Sequence, residues 1–201
     1  QKKIMKRVAI IGLGLMGGSL GLALKRRMPG VEVAAFARRP ETRRQALAEG
    51  VADLVFDSPS AAVRGAEVVV FCTPVLSIPL LLKACRSDLQ RDAVVTDVGS
   101  TKAEVMKTVA PLFKGIGPVF IGSHPMAGSE QTGLSAARAD LYENALIALT
   151  LPSGRKNGKA LARLTRFWGK VGGRVLVLDA SEHDRIVART SHLTHLVAGL
   201  L

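Results

Sequence analysis

Acidic and aromatic side chains are scarce in this 201-residue chain, and cysteine is nearly missing. Only 16 Asp and Glu stand against 28 Lys and Arg, a formal net charge of +12, so the surface attracts anions. Aromatic residues make up 4% of the chain and none is interleaved with the basic clusters Lys25-Arg26-Arg27, Arg38-Arg39, Arg43-Arg44 and Arg155-Lys156. Without rings to stack on bases, a nucleic-acid platform is not encoded. The charge reads instead as a solvated cationic surface with a site for an anionic small molecule. Cys72 and Cys85 are too few for a disulfide framework and read as buried thiols, which fits a reducing cytoplasm. No apolar run reaches the ~18 residues of a membrane helix. The start, Gln1-Lys2-Lys3-Ile4-Met5, is basic but is not followed by the features of a secretory leader, so none is expected.

What the chain has in quantity is glycine and aliphatic side chains, with 20 Gly and 48% hydrophobic residues. Short β-branched runs at 7–11, 32–37, 68–72, 93–96, 119–122, 145–149 and 174–177 predict strands. Helix-periodic segments fill the gaps at 17–26, 40–49, 60–64, 76–87, 101–112 and 156–171, and a last one begins at 181. Strands alternating with helices give βαβ units, so the expected class is α/β: a Rossmann-like, mostly parallel sheet with helices on both faces.

In such sheets ligands bind beyond the C-terminal ends of the strands. The first strand runs into Gly12-Leu13-Gly14-Leu15-Met16-Gly17, a glycine-rich turn that opens a helix. Gly12 permits the tight turn, Gly14 lets the backbone approach a pyrophosphate, and Gly17 lets helix and strand pack closely. The N–H groups of the first helical turn then face the anion. Gly12, Gly14, Leu15, Met16 and Gly17 are therefore candidate cofactor-binding residues.

After the second strand, where NAD-binding domains place a carboxylate on the ribose, stands Arg38-Arg39. Guanidinium groups pair with a 2′-phosphate, so Arg38 and Arg39 favour NADP over NAD. Thr73-Pro74 follows the third strand and flanks the same cofactor. In Thr96-Asp97-Val98-Gly99-Ser100-Thr101-Lys102, Ser100 has two compatible readings, as a helix N-cap and as a hydroxyl beside the nicotinamide. His124, in Gly122-Ser123-His124-Pro125-Met126-Ala127-Gly128-Ser129-Glu130, is expected just past a strand end. A neutral imidazole there accepts a hydroxyl proton near neutral pH. His183, His192 and His195 cluster later, but no cysteine or carboxylate pattern accompanies them, so no metal site is expected. Ser181 is the expected cap of the last helix, which turns apolar at Leu193, Leu196, Val197, Leu200 and Leu201 and is expected to continue or to pack on a partner domain.

Together these motifs resemble the prephenate/arogenate dehydrogenase family of tyrosine biosynthesis. The match rests on the stretch 12–20, on 96–102, on 122–130, and on His183-Asp184 followed by Ser191-His192-Leu193-Thr194-His195. The resemblance implies an NAD(P)-binding Rossmann-like domain over 1–179 and the beginning of an α-helical dimerisation domain over 180–201, hence a cytoplasmic homodimer. It implies oxidative decarboxylation of prephenate to 4-hydroxyphenylpyruvate or of arogenate to tyrosine, with hydride transfer to the nicotinamide. His124 would accept the hydrogen bond or proton of the ring hydroxyl, and Ser100 would orient hydroxyl, histidine and cofactor. His195 would line the substrate site and Glu130 its mouth, while His183 and Trp168 match recurring positions where packing is an equal alternative. A β-hydroxyacid dehydrogenase of the same architecture and a non-catalytic NADP-binding module are the competing readings.

Overall fold

The structure is a computed structural model that describes residues 5–113, 117–151 and 158–192. Nine strands and seven α-helices are assigned among the described residues. β1 (Arg7–Ile11), β2 (Glu32–Phe36), β3 (Leu54–Phe56), β4 (Val68–Phe71), β5 (Val94–Asp97) and β6 (Val119–Phe120) form a sheet in the order β3-β2-β1-β4-β5-β6, all pairs parallel. β7 (Gly122–Pro125), β8 (Leu146–Thr150) and β9 (Arg174–Leu178) form a second sheet, β7 antiparallel to β8 and β8 parallel to β9.

The period of two along the central strands feeds two cores. Val8 and Ile10 of β1 face one cluster, and Ala9 and Ile11 face the other. α1 (Leu15–Arg27) and α6 (Gly158–Val171) close the first face with Leu20, Leu24, Leu164, Phe167 and Trp168, and Ile147 and Leu149 of β8 join them. α3 (Pro59–Val63), α4 (Ile78–Cys85) and α5 (Ala103–Val109) close the second with Val63, Ile78, Leu82, Val105 and Val109. α2 (Pro40–Ala48) packs Ala46 against the first cluster, and α7 (Ala180–Val187) follows β9. A parallel sheet covered on both faces explains why residues 8–11 of β1 and the whole of β4 are unbroken apolar runs.

The expected class holds, with local differences. The run 119–122 is not one strand: the chain leaves the parallel sheet after Phe120 and Gly122 opens β7 of the second sheet. His124 therefore lies inside a strand, not after one. β3 was not foreseen, because three residues with partial exposure carry no readable period. Ser181 does not cap α7. Asp179 does, its carboxylate accepting from the N–H groups of Ser181 at 2.8 Å and Glu182 at 3.3 Å. Nor does Ser100 cap α5, which begins three residues later. There Asp184 of α7 accepts from the N–H groups of Lys102 at 2.7 Å and Ala103 at 2.9 Å. Cys72 and Cys85 are free thiols, Cys72 half-buried one residue past β4. The start of the helix expected from 156 lies outside the described residues, as does the apolar stretch from 193.

α1 sits close to the segment between α2 and β3 because of its glycines. A Cβ on Gly21 would stand 2.3 Å from the backbone carbonyl oxygen of Val51. Gly21→Ala must push the helix off that backbone, and we expect the ~1–3 kcal/mol loss of an overpacked core, read as a lower thermal midpoint. An unchanged midpoint would show that the contact is relieved without cost.

Candidate active site

The first site forms where β1 turns into α1. Gly12 takes a left-handed φ of 105°, and its N–H donates to the Phe36 carbonyl at 3.0 Å. A Cβ there would stand 2.7 Å from Thr73 Cγ2 and 2.9 Å from the Cys72 carbonyl oxygen. One on Gly17 would fall 1.9 Å from the Gly12 carbonyl oxygen. These two glycines are required by the protein itself. Gly14 differs: a Cβ on it would meet no atom within 4 Å. Gly14 is the N-cap residue of α1 and lines a cavity, and no side chain caps the helix there. No acidic residue stands in the first turn, so the helix presents unopposed N–H groups and its positive dipole end. Leu15 and Met16 begin the helix half-buried, and the Met16 carbonyl accepts from the Tyr142 hydroxyl at 2.8 Å.

That cavity measures about 550 Å³ and is lined by Gly12, Gly14, Arg38, Arg39, Thr73 and Pro74, with Leu80, Leu81 and Leu134 as apolar walls. Arg38 and Arg39 are exposed and have no carboxylate partner among the described residues. The loop that carries them is held by Arg43, whose Nη1 donates to the carbonyls of Ala37 at 3.0 Å and Arg38 at 2.9 Å. Thr73 lines the cavity, and its Oγ1 is buried with no hydrogen-bond partner among the described residues. A buried hydroxyl left unsatisfied is costly. The open space at Gly14, the orphan Thr73 hydroxyl and the unpaired guanidiniums form a donor set that fits a phosphorylated dinucleotide.

A second cavity, about 820 Å³, is lined by His124, Met126, Ser129, Glu130, Val187 and Thr190 among others. His124 projects from β7, with Nδ1 2.9 Å from Nε2 of the fully buried His183. His183 Nδ1 lies 2.7 Å from Asp184 Oδ1. Partial burial raises the Asp184 carboxyl, but the N–H groups of Ala103 and Lys102 and the His183 ring outweigh it and hold it below the ordinary value.

Beneath the histidine lies an ion pair that no exposed position would predict. Lys102 Nζ bonds Asp97 Oδ2, both side chains fully buried. Burial pushes the Lys102 ammonium below its usual range, and the Asp97 carboxylate pulls it back up. Asp97 also accepts from the N–H groups of Gly99 at 2.9 Å and Ser123 at 3.1 Å, so it fixes the turn bearing Ser100 and the strand bearing His124. Ser123 Oγ lies 2.6 Å from Thr96 Oγ1 and accepts from Trp168 Nε1 at 3.0 Å.

The structure thus gathers Gly12, Gly14, Arg38, Arg39, Thr73 and Pro74 around one cavity, whose lining does not include Leu15, Met16 or Gly17, and His124 and Glu130 around the other. Ser100 is exposed on the turn after β5 and lines neither. His195 lies outside the described residues. Residues that sequence reasoning left without a role are Asp97, Lys102 and Asp184. All stand within the quoted motifs, but charged side chains carry no sign of burial in sequence.

These features define a Rossmann-type dinucleotide-binding domain with a histidine-lined pocket beside it. The family model described as prephenate dehydrogenase, nucleotide-binding domain, matches residues 20–177. The cyclohexadienyl dehydrogenase of Zymomonas mobilis is 35% identical over 195 residues, 97% of this chain and 66% of that one. The crystal structure of prephenate dehydrogenase from A. aeolicus, with hydroxyphenyl propionate and NAD+, superposes with a TM-score of 0.90 at 30% identity, covering 100% of this chain and 69% of that one. Synechocystis arogenate dehydrogenase gives 0.85 at 31% identity, covering 93% and 64%. The chain belongs to the prephenate dehydrogenase family. It spans between about half and two thirds of the length of the relatives it matches in sequence.

Removing one partner of a buried ion pair leaves the other charge uncompensated. Lys102→Met is expected to cost ~3–5 kcal/mol of stability, and Asp97→Asn added to it to recover only part of that, because the amide oxygen can accept from just one of the Gly99 and Ser123 N–H groups. Denaturant unfolding of the two variants checks this; equal losses would mean that the Asp97 carboxylate is not stranded.

Proposed function

We propose that the chain carries out NAD(P)+-dependent oxidative decarboxylation of prephenate or arogenate, with NADP+ preferred. The observation that carries the proposal is His124, set in the wall of a cavity large enough for such a substrate, in a chain of this family. The cofactor, held by Gly12, Gly14, Leu15, Met16, Gly17, Thr73 and Pro74, supplies a nicotinamide ring that accepts a hydride. Arg38 and Arg39 hold the 2′-phosphate, for which their lack of carboxylate partners leaves them available.

His124 accepts the hydrogen bond of the substrate's 4-hydroxyl as the carbon bearing it gives up its hydride and the ring carboxylate leaves as carbon dioxide. Aromatisation of the ring supplies driving force, so the protein's task is placement and proton control. Ser100 orients the hydroxyl, and Glu130 and His195 contact the substrate. The segment from residue 180 onward forms the start of a helical domain through which two copies pair, and the enzyme works in the cytoplasm.

The test follows reduced-nicotinamide absorbance with prephenate and with arogenate, each with NADP+ and NAD+. Turnover with either substrate is expected, faster with NADP+. NADP+ binding without turnover would reduce the chain to a cofactor-binding module. His124→Asn is expected to lower kcat by ~10²–10⁴ with cofactor affinity unchanged, and activity near wild type would remove His124 from the reaction. Arg38→Asp should swing preference toward NAD+ by at least tenfold, as loss of a charge-assisted hydrogen bond of ~1.5–3 kcal/mol requires. Unchanged relative affinities for the two cofactors would discard the 2′-phosphate assignment.

A further inference from the structure

His183 touches neither cavity, yet it is fully buried and hydrogen-bonded at both ring nitrogens. Its ring meets that of His124 edge-on, centroids 5.1 Å apart and planes at 76°. The partner at its far side, Asp184, is anchored in turn by the Lys102 and Ala103 N–H groups at the start of α5. A row of polar groups thus runs from a helix N-terminus through a carboxylate and one imidazole to a second imidazole at the cavity wall.

The chemistry of each member decides where the protons stand. An ionised carboxylate only accepts, so the proton between Asp184 and His183 sits on His183 Nδ1. A neutral His183 then offers a lone pair at Nε2, and the proton shared with His124 belongs to His124 Nδ1. We infer that His183 and Asp184 are positioning residues that lock His124 in the Nδ1-protonated tautomer and leave Nε2 as its basic nitrogen. The inference rests on the reading of His124 as the group that receives the substrate hydroxyl. Without the pair, the hydrogen bond that fixes the His124 Nδ1 proton is lost, and the ring can exchange tautomers. When His124 takes on positive charge, the same row stabilises it, because Asp184 lies at the end of a continuous hydrogen-bond path.

The first test is nitrogen-15 NMR of the histidine-labelled protein, which reports the tautomer whether or not any substrate turns over. The neutral ring of His124 is expected to carry its proton at Nδ1; a proton at Nε2 overturns the inference. The second compares His183→Phe, which keeps a buried ring but no acceptor, with His183→Gln, which restores an acceptor. In His183→Phe the His124 tautomer should become mixed. Its kcat should fall by at least tenfold, and by no more than the ~10²–10⁴ a general base contributes, with KM and cofactor affinity unchanged. His183→Gln should recover part of both. Loss of KM, kcat and stability together in both variants, with no recovery in His183→Gln, assigns His183 to packing and overturns the inference, as does a wild-type tautomer and kcat in His183→Phe. Should neither substrate turn over, the NMR result still decides the tautomer, and the proposed reaction fails separately.

Discussion

A single buried carboxylate holds the working end of this domain together. Asp97 closes β5, receives the Lys102 ammonium, and accepts from the N–H groups of Gly99 and Ser123. Through those bonds the end of the parallel sheet, the turn carrying Ser100 and the strand carrying His124 keep one arrangement. A charge this deep is tolerated only because its partners are in place. The serine next to His124 is held from the other side as well, by Thr96 and the indole of Trp168. The site therefore rests on a polar network that is fully enclosed, which favours one geometry over a range of them.

The cofactor side depends on a different constraint, the absence of side chains. Gly12 and Gly17 clear protein atoms from each other's path, whereas Gly14 clears a space that no atom of the described residues fills. The distinction separates glycines that let the turn close from the one that faces the cavity. Beyond it, the orphan hydroxyl of Thr73 and the loop braced by Arg43 supply polarity at a place where the fold itself does not use it.

Much of the fold was legible in the sequence because its signals are local. The apolar runs at 8–11 in β1 and 68–71 in β4 are buried on both faces, and such runs separated by helical periods describe a parallel sheet with few alternatives. The break at Ile121 was not legible: residues 119–122 read as one strand with His124 beyond its end, and whether the chain stays with β5 or crosses to β8 depends on partners far away in the chain. The same is true of the start of α5. Ser100 carries the right local chemistry for a cap, yet tertiary packing brings the Asp184 carboxylate to the N–H groups there, whereas α7 is capped locally by Asp179 in place of Ser181.

By itself the sequence determined the class of fold, the glycine turn, the arginines beyond β2 and the histidine motif, since each is a property of neighbouring residues. Tertiary structure alone decided that His124 lies within a strand of a second sheet, that His183 and Asp184 stand behind it, and that Lys102 and Asp97 are buried as a pair. The reason is physical. Steric freedom and periodicity are written in adjacent side chains, whereas burial and hydrogen-bond partnership between residues as far apart as 126 positions exist only once the chain has closed.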